Sequence, residues 1–182
     1  MLKYVFILMM LLPVHTFAGP TESTLQYILD DYQAECVAAQ EEPMEVVPEG
    51  ANLSAVRIKL RDDSIYEIDI TADGKKATVL YADPWCPQFG YGWCGSGGCT
   101  SYVIVDGVSF ETWGFKPVSV AVSETSVAVI VPRSGGACVN SDGQKLSNNV
   151  SCYSVAVWDD YSQTFNSMGS GEPVFEISDF MP

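Results

Sequence analysis

The chain has 182 residues, of which 23 are acidic and 9 are basic, so its formal net charge is −14. Nucleic acids and anionic membrane surfaces are bound through Lys and Arg, so this balance argues against both as partners. Hydrophobic residues make up 47% of the sequence. That share is enough for a folded core despite the charge, and the length fits one domain.

The first 18 residues read as a signal peptide. Lys3 precedes an apolar run of nine residues, and Ala18 is a small residue at the expected cleavage point. The run is too short for a membrane anchor, because a spanning helix needs about 20 apolar residues. We therefore expect a periplasmic or secreted protein with no transmembrane segment after cleavage.

Loss of the signal peptide would remove His15, the only histidine, and leave 8 basic residues against 23 acids, a net charge of −15. Without histidine, Ser-His-Asp and Cys-His catalysis and histidine-based metal sites are excluded. We expect no metal and no cofactor, and an enzyme is the less favoured class. Carboxylate chemistry, as in glycosidases, is the remaining route to catalysis. No motif distinguishes the candidate carboxylates, which are Asp83, Asp106, Glu111 and Asp142.

Six cysteines follow the predicted cleavage point: Cys36, Cys86, Cys94, Cys99, Cys138 and Cys152. Export and an even count predict three disulfides. Six cysteines allow 15 pairings, and the sequence alone does not choose one. The flexible Gly-Ser-Gly-Gly segment favours a bond between Cys94 and Cys99. A polar loop favours one between Cys138 and Cys152, which leaves the first two cysteines for each other.

The chain divides into a signal peptide (1–18), a helix with an acidic linker (19–50), a β domain (51–168) and an acidic tail (169–182). The helix is predicted from apolar residues at helical spacing, namely Leu25, Ile28, Leu29, Tyr32 and Cys36.

The β domain is predicted from runs in which apolar and polar residues alternate. About nine short strands follow one another with no strand-helix-strand pattern, so we expect a mainly β, antiparallel sandwich or barrel held by disulfides. Residues 54–60 and 66–70 are predicted to pair as one hairpin. The clearest hairpin joins residues 100–105 and 108–113 through Asp106-Gly107, a dipeptide that suits a tight turn.

An aromatic loop, residues 81–99, connects two of these strands. Its rings at Trp85, Phe89, Tyr91 and Trp93 are predicted to form a contact surface for a protein or a cell-wall glycan, since aromatic side chains give large contact area at low entropy cost. The alternative is that these rings cover the core and the disulfides.

Within that loop, the segment Cys-Gly-Ser-Gly-Gly-Cys precedes a strand, and a later cysteine, Cys152, precedes the strand that ends in Val157-Trp158. Together with the export signal, the β hairpins and a first helix that bears Cys36, these features resemble a loose group of uncharacterised exported bacterial proteins. The resemblance covers most of the chain after residue 18. It implies a periplasmic location and disulfides, and it transfers no activity.

The charge is unevenly distributed along the chain. Residues 19–56 hold eight acids and no base, and residues 146–182 hold five acids and no base. Acidic segments steer cationic partners. We therefore expect an exported binding module that recognises or inhibits a cationic envelope protein such as a lysozyme. The alternatives are a carboxylate-based glycan hydrolase and a non-catalytic envelope structural or assembly protein.

Overall fold

The structure is a computed structural model, which describes residues 19–39, 56–87, 90–140, 142–147 and 151–167. The predicted signal peptide, the linker that follows the helix and the acidic tail lie outside the described residues. Among the helices of the described residues, none is long and apolar enough to cross a membrane.

One helix and eight strands make up the described part of the chain. They are α1 (Pro20–Ala38), β1 (Ile65–Asp69), β2 (Lys76–Ala82), β3 (Cys99–Val105), β4 (Val108–Gly114), β5 (Val118–Ala121), β6 (Val127–Ser134), β7 (Ser151–Asp159) and β8 (Thr164–Ser167). Neighbouring strands pair antiparallel in two four-stranded sheets, sheet 1 (β1-β2-β3-β4) and sheet 2 (β5-β6-β7-β8). The predicted mainly β, antiparallel fold is confirmed, with eight strands where about nine were expected.

The two sheets pack face to face on one apolar core. Sheet 1 contributes Ile68, Ile70, Ala77, Val79, Val103 and Val105, and sheet 2 contributes Val129 and Trp158. Alternate residues of a strand point to opposite faces, so each sheet turns one row of side chains toward the other. The arrangement is a sandwich, because the strands form two sheets rather than one closed cylinder.

Helix α1 covers the second face of sheet 1. Its buried residues Ile28 and Tyr32 pack against Leu80, Ala82 and Ile104 of that face. Sheet 1 is therefore buried on both faces, which explains why β2 and β3 contain adjacent buried residues instead of strict alternation. The molecule has three layers: helix, sheet 1 and sheet 2.

The predicted strand at residues 54–60 does not form a strand in its described part; Lys59 alone makes an isolated bridge with Trp85. The side chain of Gln33 on α1 explains the difference. Its Nε2 donates to the carbonyl of Val56 at 3.1 Å, and its Oε1 accepts from the N–H of Ile58 at 3.1 Å. An amide side chain thus satisfies backbone groups that a neighbouring strand would otherwise bind.

All six cysteines form disulfides, in the pairs Cys36–Cys86, Cys94–Cys99 and Cys138–Cys152. The two pairs that the sequence favours are observed, and so is the pair left over. The first disulfide joins α1 to the aromatic loop, and both of its cysteines are fully buried.

The turn inside the Cys94–Cys99 disulfide requires glycine at position 98. Gly98 has φ +114°, and a Cβ there would overlap the backbone carbonyl of Gly114 on β4. We predict that Gly98→Ala lowers the free energy of unfolding by about 3 kcal/mol, because strain and steric overlap add. Gly74→Ala is the control: its φ is +90° with open space around it, so about 1 kcal/mol is expected. Urea unfolding measures both, and equal losses would exclude the Gly114 contact as the reason.

Candidate functional site

A groove of about 360 Å³ runs between α1 and the adjoining end of sheet 1. Four aromatic rings line it, from Tyr27, Tyr32, Trp93 and Tyr102. Three carboxylates line it as well, from Asp31, Glu35 and Glu111. The remaining lining residues are Thr24, Ile28 and Ser109, so none of the described residues that line the groove is a Lys, Arg or His.

The aromatic wall is built by side chains that brace one another. The rings of Tyr32 and Trp93 meet edge to face with centroids 4.8 Å apart, a favoured geometry for aromatic pairs. Trp93 and Tyr102 both pack against the buried cluster that contains Tyr32. Tyr27 lies at the rim and is 68% exposed. Three rings are thus held in place, and the fourth is open to solvent.

The phenols of Tyr32 and Tyr102 stay protonated under ordinary conditions. Burial raises the pKa of Tyr32 well above its usual value, and the neighbouring Tyr102 and Glu35 add to the increase. Burial also raises the pKa of Tyr102, the neighbouring Tyr32 hydroxyl lowers it, and the negative charges of Glu111, Glu35 and Asp31 raise it further. The three carboxylates therefore act on the same ring, which shows that their negative fields overlap inside the groove.

Among the described residues, no Lys or Arg forms an ion pair with the three carboxylates of the groove, those of Asp31, Glu35 and Glu111. Aromatic faces and carboxylates both attract cations, the first through the ring quadrupole and the second through Coulomb's law.

Helix α1 forms one wall of the groove because it is fastened to the β domain at several points. The disulfide from Cys36 holds its C-terminal end. Near its N-terminus, the Thr24 hydroxyl donates to the carbonyl of Gly107 at 3.0 Å. Between these points, residues 28, 31, 32 and 35 recur at helical spacing, so the wall presents Tyr32 with acids on either side of it.

Of the residues predicted to bind a partner, Trp93 lies in the groove and two others lie apart from it. Trp85 pairs with Lys59 through two backbone hydrogen bonds, and the Lys59 Nζ lies 5.1 Å from the Trp85 ring centroid. Tyr91 is 45% exposed and does not line the groove. Phe89 lies outside the described residues.

The Tyr91 ring stacks on the cationic member of an ion pair. The Arg61 guanidinium lies 4.0 Å from the Tyr91 ring centroid and 2.8 Å from the Asp83 carboxylate, whose side chain is 9% exposed. Asp83 is thus bound by Arg61 and is not among the residues that line the groove. The arrangement anchors the aromatic loop to the segment before β1.

The other carboxylates considered for catalysis lie in different places. Asp106 occupies the β3–β4 turn with φ +50° and pairs with Lys75 at 3.1 Å. Asp142 lies in the loop closed by the Cys138–Cys152 disulfide. Only Glu111 of the four lines the groove.

A second cleft, of about 490 Å³, lies between the turn after β1 and the β5–β6 connection. Its acids are Asp73, Glu124 and Asp160, but Asp160 already pairs with Lys75 at 3.1 Å and accepts from the Trp158 indole at 2.7 Å. Its charge is therefore partly balanced by that lysine.

Among the described residues, one cluster has the composition of a metal site: Asp83, Cys94 and Cys99, whose ligand atoms lie within 4.8 Å of one another. Both sulfurs belong to the same disulfide. A metal requires thiolates as sulfur ligands, so this cluster does not provide a metal site.

Sequence reasoning named Trp93 and Glu111 and missed the other groove residues as a site. A signal for them was present, because the segment that contains Asp31 and Glu35 holds no base. Both acids are next in sequence to residues of the buried helical face, Tyr32 and Cys36. Acids at that boundary are well placed to border a cleft.

Comparisons with known proteins identify no relative of this chain. The predicted resemblance to exported bacterial proteins therefore stays a prediction. No protein-family model, no curated protein and no solved structure matches this chain.

Proposed function

We propose that this protein is an exported, disulfide-bonded binding module that recognises a cationic envelope protein, such as a lysozyme. A Lys or Arg side chain of that partner would enter the groove between α1 and sheet 1. The observation that carries the proposal is the combination of four aromatic rings and three carboxylates in one groove, with no basic side chain among its described lining residues.

Cation–π attraction and Coulomb attraction both favour a cationic ligand in this groove. A desolvated cation over an aromatic face gains about 2 kcal/mol, and each nearby carboxylate adds Coulomb attraction. The acid-rich chain as a whole, with a net charge of −14, speeds the approach of a basic protein. An anionic ligand would meet repulsion from the same groups.

The test is binding of the purified, oxidised protein to lysozymes of different types and to an oligolysine peptide, at low and at high salt. We expect binding at low salt that weakens as salt screens the charges. An acidic protein of similar size serves as the negative control. Absence of binding to every cationic probe at low salt would rule out the proposed function.

A glycan hydrolase is the second proposal, and the placement of Glu111 with Asp31 and Glu35 in one aromatic groove favours it. Glycosidases use two carboxylates on either side of the bond they cleave. Release of reducing ends from peptidoglycan or chitin oligosaccharides is the measurement, with Glu111→Gln as the inactive control. Binding to lysozyme without any reducing-end release would favour the binding module.

A further inference from the structure

Sheet 2 has one face on which neither α1 nor sheet 1 packs. The side chains of its inner face, such as Val129 and Trp158, are buried against sheet 1. Because alternate residues point to opposite sides, their neighbours along β5 to β8 form an outer face. Helix α1 covers the face of sheet 1 that points away from sheet 2. No such helix lies on the outer face of sheet 2 among the described residues.

This outer face of sheet 2 is apolar. Two cross-strand rows follow from the register, one of Val118, Ile130 and Val155, and one of Val120, Ala128, Val157 and Asn166. Along the β5 edge, Val118 is 46% exposed, Val120 41% and Val122 59%. An antiparallel sheet with one solvated face normally carries polar residues there.

The outer face also lacks charge. Of its strand positions, only Asp159, at the end of β7, carries a charged side chain, and Tyr153 adds a neutral phenol. In a chain with 23 acids, such a face does not suit the cationic partner of the groove, because it offers no carboxylate in its centre. It does suit an apolar surface, since charged residues are depleted in the cores of protein interfaces.

The size of the face limits how strong a complex it can form. Its strands have 4, 8, 9 and 4 residues, and at about 3.3 Å per residue and about 4.8 Å between strands they present roughly 400 Å². Two such faces in contact bury roughly 800 Å² or somewhat more, which is the size of weak, reversible complexes.

We propose that a second copy of this chain covers the outer face of sheet 2 in a weak, two-fold symmetric dimer. Two-fold pairing brings the same apolar rows of both copies together, as an interface between identical surfaces requires. It also brings two acidic chains together on a face that is uncharged in its centre. Salt should therefore strengthen the dimer by screening the remaining repulsion, whereas it weakens cation binding in the groove.

Sedimentation of the purified, oxidised protein over a range of concentrations tests this proposal. We expect the average mass to rise from monomer toward dimer with concentration, and to rise further at high salt. Val120→Asp should weaken dimerisation at least about tenfold, because it places an unpaired carboxylate in an apolar interface. Val108→Asp is the matched control, since Val108 is 38% exposed but lies on β4 of sheet 1.

Three results would overturn the proposal. One is a monomer at all concentrations and salt levels, and another is equal weakening by both aspartate variants. The third concerns the segment 168–182: if a chain that ends at Ser167 dimerises and the full chain does not, that segment covers the face instead of a second copy.

Discussion

Glu111→Lys is expected to lower the affinity of the protein for a cationic partner by about 10- to 100-fold, which is about 1.4 to 2.8 kcal/mol. Glu111 is an exposed residue of β4, so the substitution leaves the core intact. It removes one of three carboxylates from the groove and puts an ammonium group where the partner's cation would bind. The partner then meets repulsion in place of attraction.

Glu67→Lys is the matched control for this experiment. Glu67 is exposed on β1, at the edge of sheet 1 opposite to β4, and does not line the groove. Both substitutions change the net charge by the same amount. Titration calorimetry against the cationic partner at low salt should therefore show a large loss for Glu111→Lys and a small one for Glu67→Lys. Equal losses would mean that the overall charge, and not the groove, provides the affinity.

Much of the fold could be predicted because its determinants are local in the sequence. The hairpin around Asp106-Gly107 is an example, since these residues adopt φ +50° and +88°, as a tight primed turn requires. The buried helical face predicted from the spacing of Ile28 and Cys36 was confirmed as well.

The error at residues 54–60 has a non-local cause. The pattern Val56, Ile58, Leu60 is that of a half-buried strand, but its backbone groups bind the side chain of Gln33 on α1. Ile58 and Leu60 pack with the helix cluster instead of pairing with β1. Alternation predicts which residues turn inward, and it does not predict whether a strand or a helix side chain satisfies the backbone between them.

The groove could be predicted only in fragments. Its residues come from α1, the aromatic loop, β3 and β4, and no local spacing relates Glu35 to Trp93 or to Glu111. Trp93 and Glu111 were considered for separate reasons, one as a contact residue and one as a carboxylate. What brings them together is the packing of α1 on sheet 1, which is a tertiary contact.

Removal of the Cys36–Cys86 disulfide has the second large expected effect, and it links the stability of α1 to the groove. The bond closes a loop with a sequence separation of 50 residues. In the chain-entropy model, its loss in the variant Cys36→Ala/Cys86→Ala lowers the free energy of unfolding by about 4 kcal/mol. Both cysteines are fully buried, so the double variant is a cleaner experiment than a chemical reductant.

The double variant should also lose affinity for the cationic partner. Without the disulfide, α1 keeps the hydrogen bonds of Thr24 and Gln33 and the contacts of Ile28 and Tyr32, but its C-terminal end is no longer bonded to the aromatic loop. The end of α1 that carries Glu35 then adopts the binding geometry in only a fraction of the molecules. The apparent Kd equals the intrinsic Kd divided by that fraction, so the apparent affinity is lower.

Cys138→Ala/Cys152→Ala is the control that separates stability from binding. Its loop has a sequence separation of 14 residues, so a loss of about 3 kcal/mol is expected. None of its residues lines the groove. Denaturant unfolding and partner titration of both double variants should therefore give comparable losses of stability, with reduced affinity only when Cys36 and Cys86 are replaced. Full affinity in that variant would mean that apolar packing alone holds α1 in place, and that the disulfide does not shape the groove.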